Sequence, residues 1–154
     1  MQTRVLPPLL CIALVAGCGS VSRQTFVALD QSARAIIVAL DGTPKLPQFR
    51  PLRQSFATQL TATRPRARSS SDRALVADYD AVDARLGEML SLWEGLVERE
   101  AELLPLSDAL PERLRLRYDL PVNSNEPRSI YASEALRALR DDITHRVATF
   151  GFAT

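Results

Sequence analysis

The residues that could carry chemistry are few in this chain. His145 is the one histidine among the 154 residues, and the two cysteines, Cys11 and Cys18, both lie within the first eighteen positions. A serine or cysteine hydrolase needs a nucleophile, a histidine and a third group that orients the histidine. Asp141 stands one helical turn before His145, but this spacing is typical of a hydrogen bond on a helix surface. Because the sequence also has no Gly-x-Ser-x-Gly element, we predict no catalytic residues and no enzyme activity.

The sequence also lacks the usual ligands of a metal or cofactor. Zinc and iron sites need several His, Cys or carboxylate side chains that converge, and di-iron bundles use two Glu-x-x-His pairs. Here a single Asp142-x-x-His145 occurs, with neither a Glu-x-x-His nor the Cys-x-x-Cys-His of attached haem. Met89 lies on an apolar stripe, which is typical of a core residue rather than an iron ligand. The sequence therefore predicts no metal and no cofactor.

The first eighteen residues have the three-part composition of a secretory signal. Arg4 gives a positive start, residues 9–16 are apolar, and the small residues Ala16 and Gly17 precede Cys18. The apolar stretch is far shorter than the roughly 20 residues that a membrane-spanning helix needs. We therefore expect this segment to direct export and then to be removed.

The sequence Val15-Ala16-Gly17-Cys18 resembles the lipobox of bacterial lipoproteins. The resemblance implies that the Cys18 thiol receives a diacylglycerol, that the chain is cut just before it, and that the new amino group is acylated with a fatty acid such as palmitate. Two or three acyl chains make a stable membrane anchor. Gly19 stands where an aspartate commonly signals retention in the inner membrane, so the resemblance implies the outer membrane, facing the periplasm. The alternatives are an ordinary cleaved signal with an incidental cysteine, or a buried N-terminal helix.

These features divide the chain into three parts. Residues 1–17 are the predicted lipoprotein signal peptide, residues 18–21 the lipidated N-terminus with a short tether, and residues 22–154 a helical bundle domain. The domain is long enough for one hydrophobic core. Because the predicted tether is so short, we expect the domain to sit close to the membrane surface.

Apolar residues recur every three to four positions through most of the domain, which predicts helices with one buried face. The predicted helices span residues 22–41, 51–63, 72–104 and 129–150, with residues 43–50 and 64–71 as loops. Pro51 suits the first turn of the second helix. Ser70 or Ser71 suits the cap of the third helix, with Asp72 in its first turn.

The third predicted helix carries the most regular apolar stripe. Its members alternate in steps of four and three residues, namely Leu75, Tyr79, Val82, Leu86, Met89, Trp93 and Leu96. A 3.5-residue period sustained for three heptads, and widened by neighbours such as Val76 and Leu90, predicts packing in a bundle rather than an isolated coiled coil. Pro105 is expected to end this helix.

Residues 106–128 fit two local structures. Ser107 and Pro111 favour a short helix that contains Leu114, whereas the alternation of apolar residues over 114–120 fits a short strand. We prefer the helix, because no second strand is evident to pair with this one. The predicted fold class is therefore all-α, a small bundle of three long and one or two short helices.

The net charge of +1 hides an uneven distribution. Residues 44–71 contain six basic and no acidic side chains, while residues 72–102 contain nine acidic and three basic ones. The six basic side chains are Lys45, Arg50, Arg53, Arg64, Arg66 and Arg68. Complementary surfaces within the fold explain this pattern better than contact of the arginines with anionic lipid or cell-wall polymer. With a nearly neutral total charge, we expect no nucleic-acid partner.

These observations predict a lipoprotein held to the membrane through Cys18, with a non-catalytic domain. Its expected role is structural or in protein interaction within the cell envelope, with an envelope protein as partner. The alternative is a binding module for a small molecule or a cell-wall fragment, with a pocket lined by Tyr79, Trp93 and Tyr118. A third hypothesis is an enzyme that uses two carboxylates of the acidic helix, although no pair stands out there.

Overall fold

The computed structural model describes residues 23–42, 45–99 and 102–150. Over these residues the chain forms five α-helices, one 3₁₀ turn and two short strands. In chain order the elements are α1 (Arg23–Asp41), α2 (Leu46–Thr63), the 3₁₀ turn (Arg64–Arg66), α3 (Ser70–Arg99), β1 (Leu103–Pro105), α4 (Ala109–Tyr118), β2 (Ser129–Tyr131) and α5 (Ala132–Thr149). The predicted all-α fold class is confirmed, while the predicted signal peptide and tether lie outside the described residues.

Helices α1, α2, α3 and α5 pack as an antiparallel four-helix bundle, in which α1 and α3 each contact both α2 and α5. Phe26, near the start of α1, stacks on Tyr79 in the first half of α3, with ring centroids 6.4 Å apart. Phe150, just after α5, lies 4.8 Å from the same ring. Phe49, near the start of α2, lies 5.8 Å from Trp93 in the second half of α3. Helices α1 and α3 therefore run in one direction, and α2 and α5 in the other.

The predicted stripe of α3 forms the centre of the core. Tyr79 is fully buried, and its ring also lies 6.1 Å from that of Phe56 on α2. Burial of such rings is a large part of the energy of a small core, and each favourable ring pair adds roughly 0.5–1.5 kcal/mol. The stripe is buried as far as Met89, and Trp93 and Leu96 are half-buried beyond it.

A two-stranded antiparallel ribbon lies between the end of α3 and the start of α5. Leu104 of β1 pairs with Ile130 of β2, and both side chains are buried. The backbone N–H of Leu106 donates to the carbonyl of Arg128 at 2.8 Å, which extends the pairing by one step. The ribbon therefore holds the two ends of segment 106–128 side by side.

Two predicted helix boundaries are wrong, because the residues concerned belong to the β1–β2 ribbon or lie next to it. Helix α3 ends at Arg99 rather than at residue 104, and α5 begins at Ala132 rather than at Ser129. Leu104 continues the helical spacing of apolar residues, but it reaches the core as part of a strand because β2 is there to pair with it. Pairing between distant segments overrides a local periodicity in this way. Pro105 consequently lies in β1 and is not the residue that ends α3.

Helix α2 begins earlier than predicted, at Leu46 instead of Pro51. Pro47 lies in the first turn, where the missing N–H would have had no partner within the helix. Pro51 lies inside the helix and cannot donate to the carbonyl of Pro47. The additional turn fully buries the ring of Phe49, and this burial offsets the lost hydrogen bond.

Helix α3 begins with a capping pair slightly ahead of the predicted cap. Ser69 Oγ accepts a hydrogen bond from the Asp72 N–H at 2.9 Å, and Asp72 Oδ2 accepts one from the Ser69 N–H at 3.3 Å. This reciprocal arrangement satisfies donors that a helix start leaves free. The predicted caps, Ser70 and Ser71, both lie within the helix, while Asp72 occupies the first turn as predicted.

Segment 106–128 contains the short helix that the sequence favoured over a strand. Helix α4 follows Asp108 rather than the predicted Ser107, with Pro111 in its first turn. Leu114 is fully buried and holds α4 to the bundle. Asp119 ends the helix in the left-handed conformation, with φ at 50°.

Candidate functional site

Basic residues of α2 and of the 3₁₀ turn that follows it form ion pairs with acidic residues of α3. Arg50 Nη2 lies 2.7 Å from a carboxylate oxygen of Glu94, and Arg64 Nη2 lies 2.6 Å from one of Asp80. Between them, Arg53 Nη2 lies 3.5 Å from Asp83. Pairs this exposed contribute roughly 0–1 kcal/mol each to the free energy of unfolding. The predicted complementarity of the two segments is therefore present, and it uses half of the six basic residues.

A second group of charges is more deeply set, between α3, α4 and α5. We call it the Arg85 cluster; its members are Arg85, Glu88, Arg113, Arg117, Tyr118, Asp142 and Arg146. The side chains of Glu88 and Asp142 are only 15% and 16% exposed. Arg85 joins them, since its Nη1 lies 3.4 Å from Glu88 and its Nε lies 3.2 Å from Asp142. The cluster therefore connects three helices through two carboxylates.

Asp142 accepts hydrogen bonds from three directions. Tyr118 donates its hydroxyl at 2.8 Å, Arg146 its Nε at 2.7 Å and Arg85 its Nε at 3.2 Å. Burial raises the pKa of Asp142, but the hydrogen bonds from Tyr118 and Arg146 lower it by more, so the net pKa is below the ordinary value. Burial, followed by the hydrogen bond to Asp142, raises the pKa of Tyr118. Asp142 is thus held as an anion and Tyr118 as a neutral donor.

Glu88 of α3 forms ion pairs with two arginines of α4. Arg117 Nη1 lies 2.5 Å from Glu88 Oε2, and Arg113, four residues earlier on α4, lies 3.8 Å from Glu88 Oε1. The guanidinium of Arg117 also stands over the ring of Tyr118, 5.7 Å from its centroid. The carboxylates of the Arg85 cluster are therefore occupied by arginine and tyrosine donors, an arrangement that positions helices.

His145 lines an open groove beside this cluster. The groove has a volume of about 620 Å³, and Asp78, Asp142 and Arg146 also line it. His145 is exposed, and the hydrogen bonds of Asp142 go to Tyr118, Arg85 and Arg146 rather than to the histidine. Within the described ranges, no group of three or more His, Cys, Asp or Glu side chains is placed to hold a metal ion. The groove therefore shows no nucleophile, base and orienting group in contact.

A smaller apolar groove lies between the end of α1, the second half of α3 and the first half of α5. It has a volume of about 280 Å³, and Leu40, Met89, Trp93 and Leu136 contribute its apolar surface. Its polar lining includes the exposed guanidinium groups of Arg137 and Arg140. Arg140 Nη2 lies 3.2 Å from Asp141, so Arg137 is the groove arginine that has no ion pair within the described ranges.

The structure does not bring together the three aromatic residues predicted to line one pocket. Trp93 lines the apolar groove, whereas Tyr118 belongs to the Arg85 cluster. Tyr79 lies in the core, and its hydroxyl is 3.4 Å from Asp30 Oδ1. Burial, followed by the charge of Asp30, raises the pKa of Tyr79. The predicted shared pocket is wrong because Tyr79 is fully buried and lies fourteen residues from Trp93 on α3, which is about 21 Å along the helix axis.

Sequence reasoning missed the Arg85 cluster. Arg113 and Arg117 stand four residues apart, the spacing at which two side chains of one helix face the same partner. Arg85 directly precedes Leu86 of the buried stripe, so it lies at the margin of the core. These two signals were available, but the partner carboxylates could be identified only once the position of α4 was known.

Cys18, the predicted lipidation site, lies outside the described residues, as does Cys11. The first described residue is Arg23, five positions after Cys18. Among the helices of the described ranges, none has both the length and the apolar character needed to cross a bilayer.

Comparisons with known proteins give no relative. No family model, no curated protein and no solved structure matches the chain.

Proposed function

We propose that the protein is a bacterial lipoprotein, held to the membrane by acyl chains on Cys18, whose helical domain has a structural or protein-interaction role in the cell envelope. The observation that carries the proposal is the sequence Val15-Ala16-Gly17-Cys18 at the end of a short apolar segment. Gly19, where an inner-membrane protein commonly has aspartate, favours the outer membrane, with the domain facing the periplasm. Two or three acyl chains suffice for stable anchoring.

The length of chain between the anchor and the bundle limits where the domain can act. Five Cα-to-Cα steps separate Cys18 from Arg23, the first described residue of α1, so this segment spans at most about 18 Å. The proposed anchor would therefore keep the start of α1 within that distance of the headgroup region. A domain held this close can act on the membrane surface or on partners that come to it.

The arrangement of charges supports a role in binding or structure rather than in catalysis. Glu88 and Asp142 are both largely buried, yet each is engaged by arginines, and Asp142 also by Tyr118. A general acid would need a raised pKa, whereas the pKa of Asp142 is lowered. The proposal therefore treats the Arg85 cluster as the attachment of α4 and assigns the domain no reaction.

The anchor is tested by metabolic labelling with a palmitate analogue, followed by fractionation of the envelope. The wild-type protein should be labelled and sediment with membranes, while Cys18→Ala should carry no label. Cys11→Ala is the matched control, because Cys11 lies in the segment that is expected to be cut off, and it should behave as wild type. A labelled, membrane-bound Cys18→Ala protein would contradict the proposal.

The interaction role is tested by crosslinking in intact cells. The anchored wild type should crosslink to at least one envelope protein that Cys18→Ala, released from the membrane, does not recover. Equal recovery by both proteins would show that anchoring does not determine the partner, and recovery of none would remove the support for an interaction role.

A second candidate function is the binding of a small molecule or cell-wall fragment in the apolar groove. The observation in its favour is that Trp93, the one tryptophan of the chain, lines this groove beside the exposed Arg137 and Arg140. Its fluorescence therefore reports occupancy directly. A ligand should change the emission of the wild type and bind more weakly to Arg137→Ala, with Arg128→Ala, another exposed arginine, as control. An unchanged emission across a screen of amphiphiles and wall fragments would count against this function.

A further inference from the structure

Exposed arginines collect at the end of the bundle where α1 begins. The antiparallel packing places the start of α1, the end of α2 and the start of α3 at this end, and Phe150 after α5 also contacts Tyr79 there. The connection from α2 to α3 runs through the 3₁₀ turn Arg64–Arg66 and Arg68. The chain that leads from Cys18 therefore enters the bundle at the same end as these arginines.

Three arginines at this end form no ion pair within the described residues. Arg64 pairs with Asp80, but Arg66, Arg68 and Arg73 are exposed and have no ion pair in the described ranges. The one carboxylate between residues 64 and 73 is that of Asp72, which is buried at the cap of α3. Segment 64–73 therefore presents net positive charge at this end of the bundle.

We propose that Arg66, Arg68 and Arg73, here called the arginine end, rest on the anionic phospholipid headgroups of the membrane that holds the anchor. The inference rests on the proposed lipidation of Cys18, because the anchor brings this end to the membrane. Each arginine near an anionic surface raises the ratio of docked to undocked protein by about fivefold, and three raise it by about 100-fold. The short tether adds to this by keeping the local concentration of lipid high.

Docking of the arginine end on the membrane would determine which surface of the domain faces the periplasm. Helix α3 has 30 residues and is therefore about 45 Å long. The opposite end of the bundle, with the β1–β2 ribbon and the apolar groove at Trp93, would point away from the membrane and toward partners in the periplasm. The arginine end is thus an orienting surface that determines which face other proteins can reach.

Two serines of α3 allow this orientation to be measured. Ser70 and Ser91 are both exposed, and they lie 21 positions apart on one helix, which is about 30 Å along its axis. In separate variants, Ser70→Cys and Ser91→Cys carry a donor dye, since the Cys18 thiol is blocked by the lipid. The lipidated protein, purified from membranes, is placed in phosphatidylcholine vesicles with or without phosphatidylglycerol and with an acceptor dye on a lipid headgroup.

We expect strong energy transfer from position 70 and weak transfer from position 91 in vesicles that contain phosphatidylglycerol. The double variant Arg66→Glu/Arg68→Glu should lose this difference, as should wild type at high salt. The matched control Lys45→Glu/Arg128→Glu changes two other exposed basic residues by the same charge and should keep it. Circular dichroism of both double variants checks that they are folded.

Three results would overturn the inference. Equal transfer from both positions would show no orientation, and the same orientation without phosphatidylglycerol would show that the tether alone causes it. If Arg66→Glu/Arg68→Glu keeps the orientation, the arginine end is excluded as its cause. Crosslinking of the arginine end to cell-wall polymer in cells would then show that it has a different partner. A protein that does not float with phosphatidylcholine vesicles would instead contradict the lipid anchor, which is a separate failure.

Discussion

Asp142→Asn should be among the most destabilising polar substitutions in the domain. Asparagine keeps the shape of the side chain but removes the charge, and it places an amide donor where Tyr118, Arg146 or Arg85 now donates. A hydrogen bond to a charged group is worth about 1.5–3 kcal/mol, and an unpaired group in a buried ion cluster costs about 3–5 kcal/mol. Because Asp142 is 16% exposed, water relieves part of this cost. We expect a loss of about 2–3 kcal/mol.

The measurement is urea denaturation of the purified protein, followed by circular dichroism. Asp141→Asn is the matched control, because Asp141 is 62% exposed and pairs only with its exposed neighbour Arg140 within the described fold. It should lose less than about 0.5 kcal/mol. Equal losses for the two variants would refute the structural role given to Asp142. In a double-mutant cycle, Asp142→Asn and Tyr118→Phe should be coupled by about 1 kcal/mol, and additive effects would show that their hydrogen bond contributes nothing.

Three further predictions concern acid stability, α4 and the glycines of α3. The pKa of Asp142 in the folded protein lies below its value of about 4 in the unfolded chain, so ionised Asp142 stabilises the fold fully above pH 4. This stabilisation is lost as the pH falls through the folded pKa. The urea midpoint of Asp142→Asn should therefore fall less on acidification than that of the wild type. Glu88→Gln should weaken the attachment of α4 and increase the rate of trypsin cleavage at the arginines of α4 about tenfold, with almost unchanged far-UV circular dichroism. An equal or slower cleavage rate would contradict the attachment of α4 through Glu88. Gly95→Ala should raise the free energy of unfolding by about 0.5–1 kcal/mol, because a Cβ there meets nothing within 4 Å. Gly87→Ala should gain less in the same urea assay, because its Cβ would lie 3.2 Å from Arg53 Nη2.

Local periodicity predicts the helices of the bundle well, and the physical reason is the regular burial of one face. The stripe from Leu75 to Met89 is buried as its heptad spacing predicts, and the opposite charges of α2 and α3 meet as expected. What periodicity cannot supply is the position of segments that depend on a distant partner. Leu104 fits a helix by spacing, and only the presence of Ile130 makes it part of a strand.

The candidate sites were less accessible to sequence reasoning than the fold. The Arg85 cluster requires α4 to lie across α3 and α5, and no local pattern fixes that placement. Trp93 was identified as a candidate ligand contact and does line a groove, but Tyr79 and Tyr118 face other partners. Cys18 remains a prediction that rests on the sequence alone, because it lies outside the described residues.

The β1–β2 ribbon leaves one place in segment 106–128, the exposed stretch at Pro121 and Val122 after α4, where chain can be added. The ends of the segment are held next to each other by the pairing of Leu104 with Ile130 and by the Leu106–Arg128 hydrogen bond, while Leu114 and the Arg85 cluster hold α4 to the bundle, so residues added after α4 leave both attachments in place. The entropy of closing such a loop changes slowly, by about 0.6 kcal/mol for each doubling of its length. An insertion or a grafted module between residues 121 and 122 should therefore be tolerated by the four-helix core, whereas deletion of α4 would remove Leu114 from the core and the donors of Glu88 and Asp142. In an evolving lineage this is the place where new recognition surfaces can arise without the cost of redesigning the bundle.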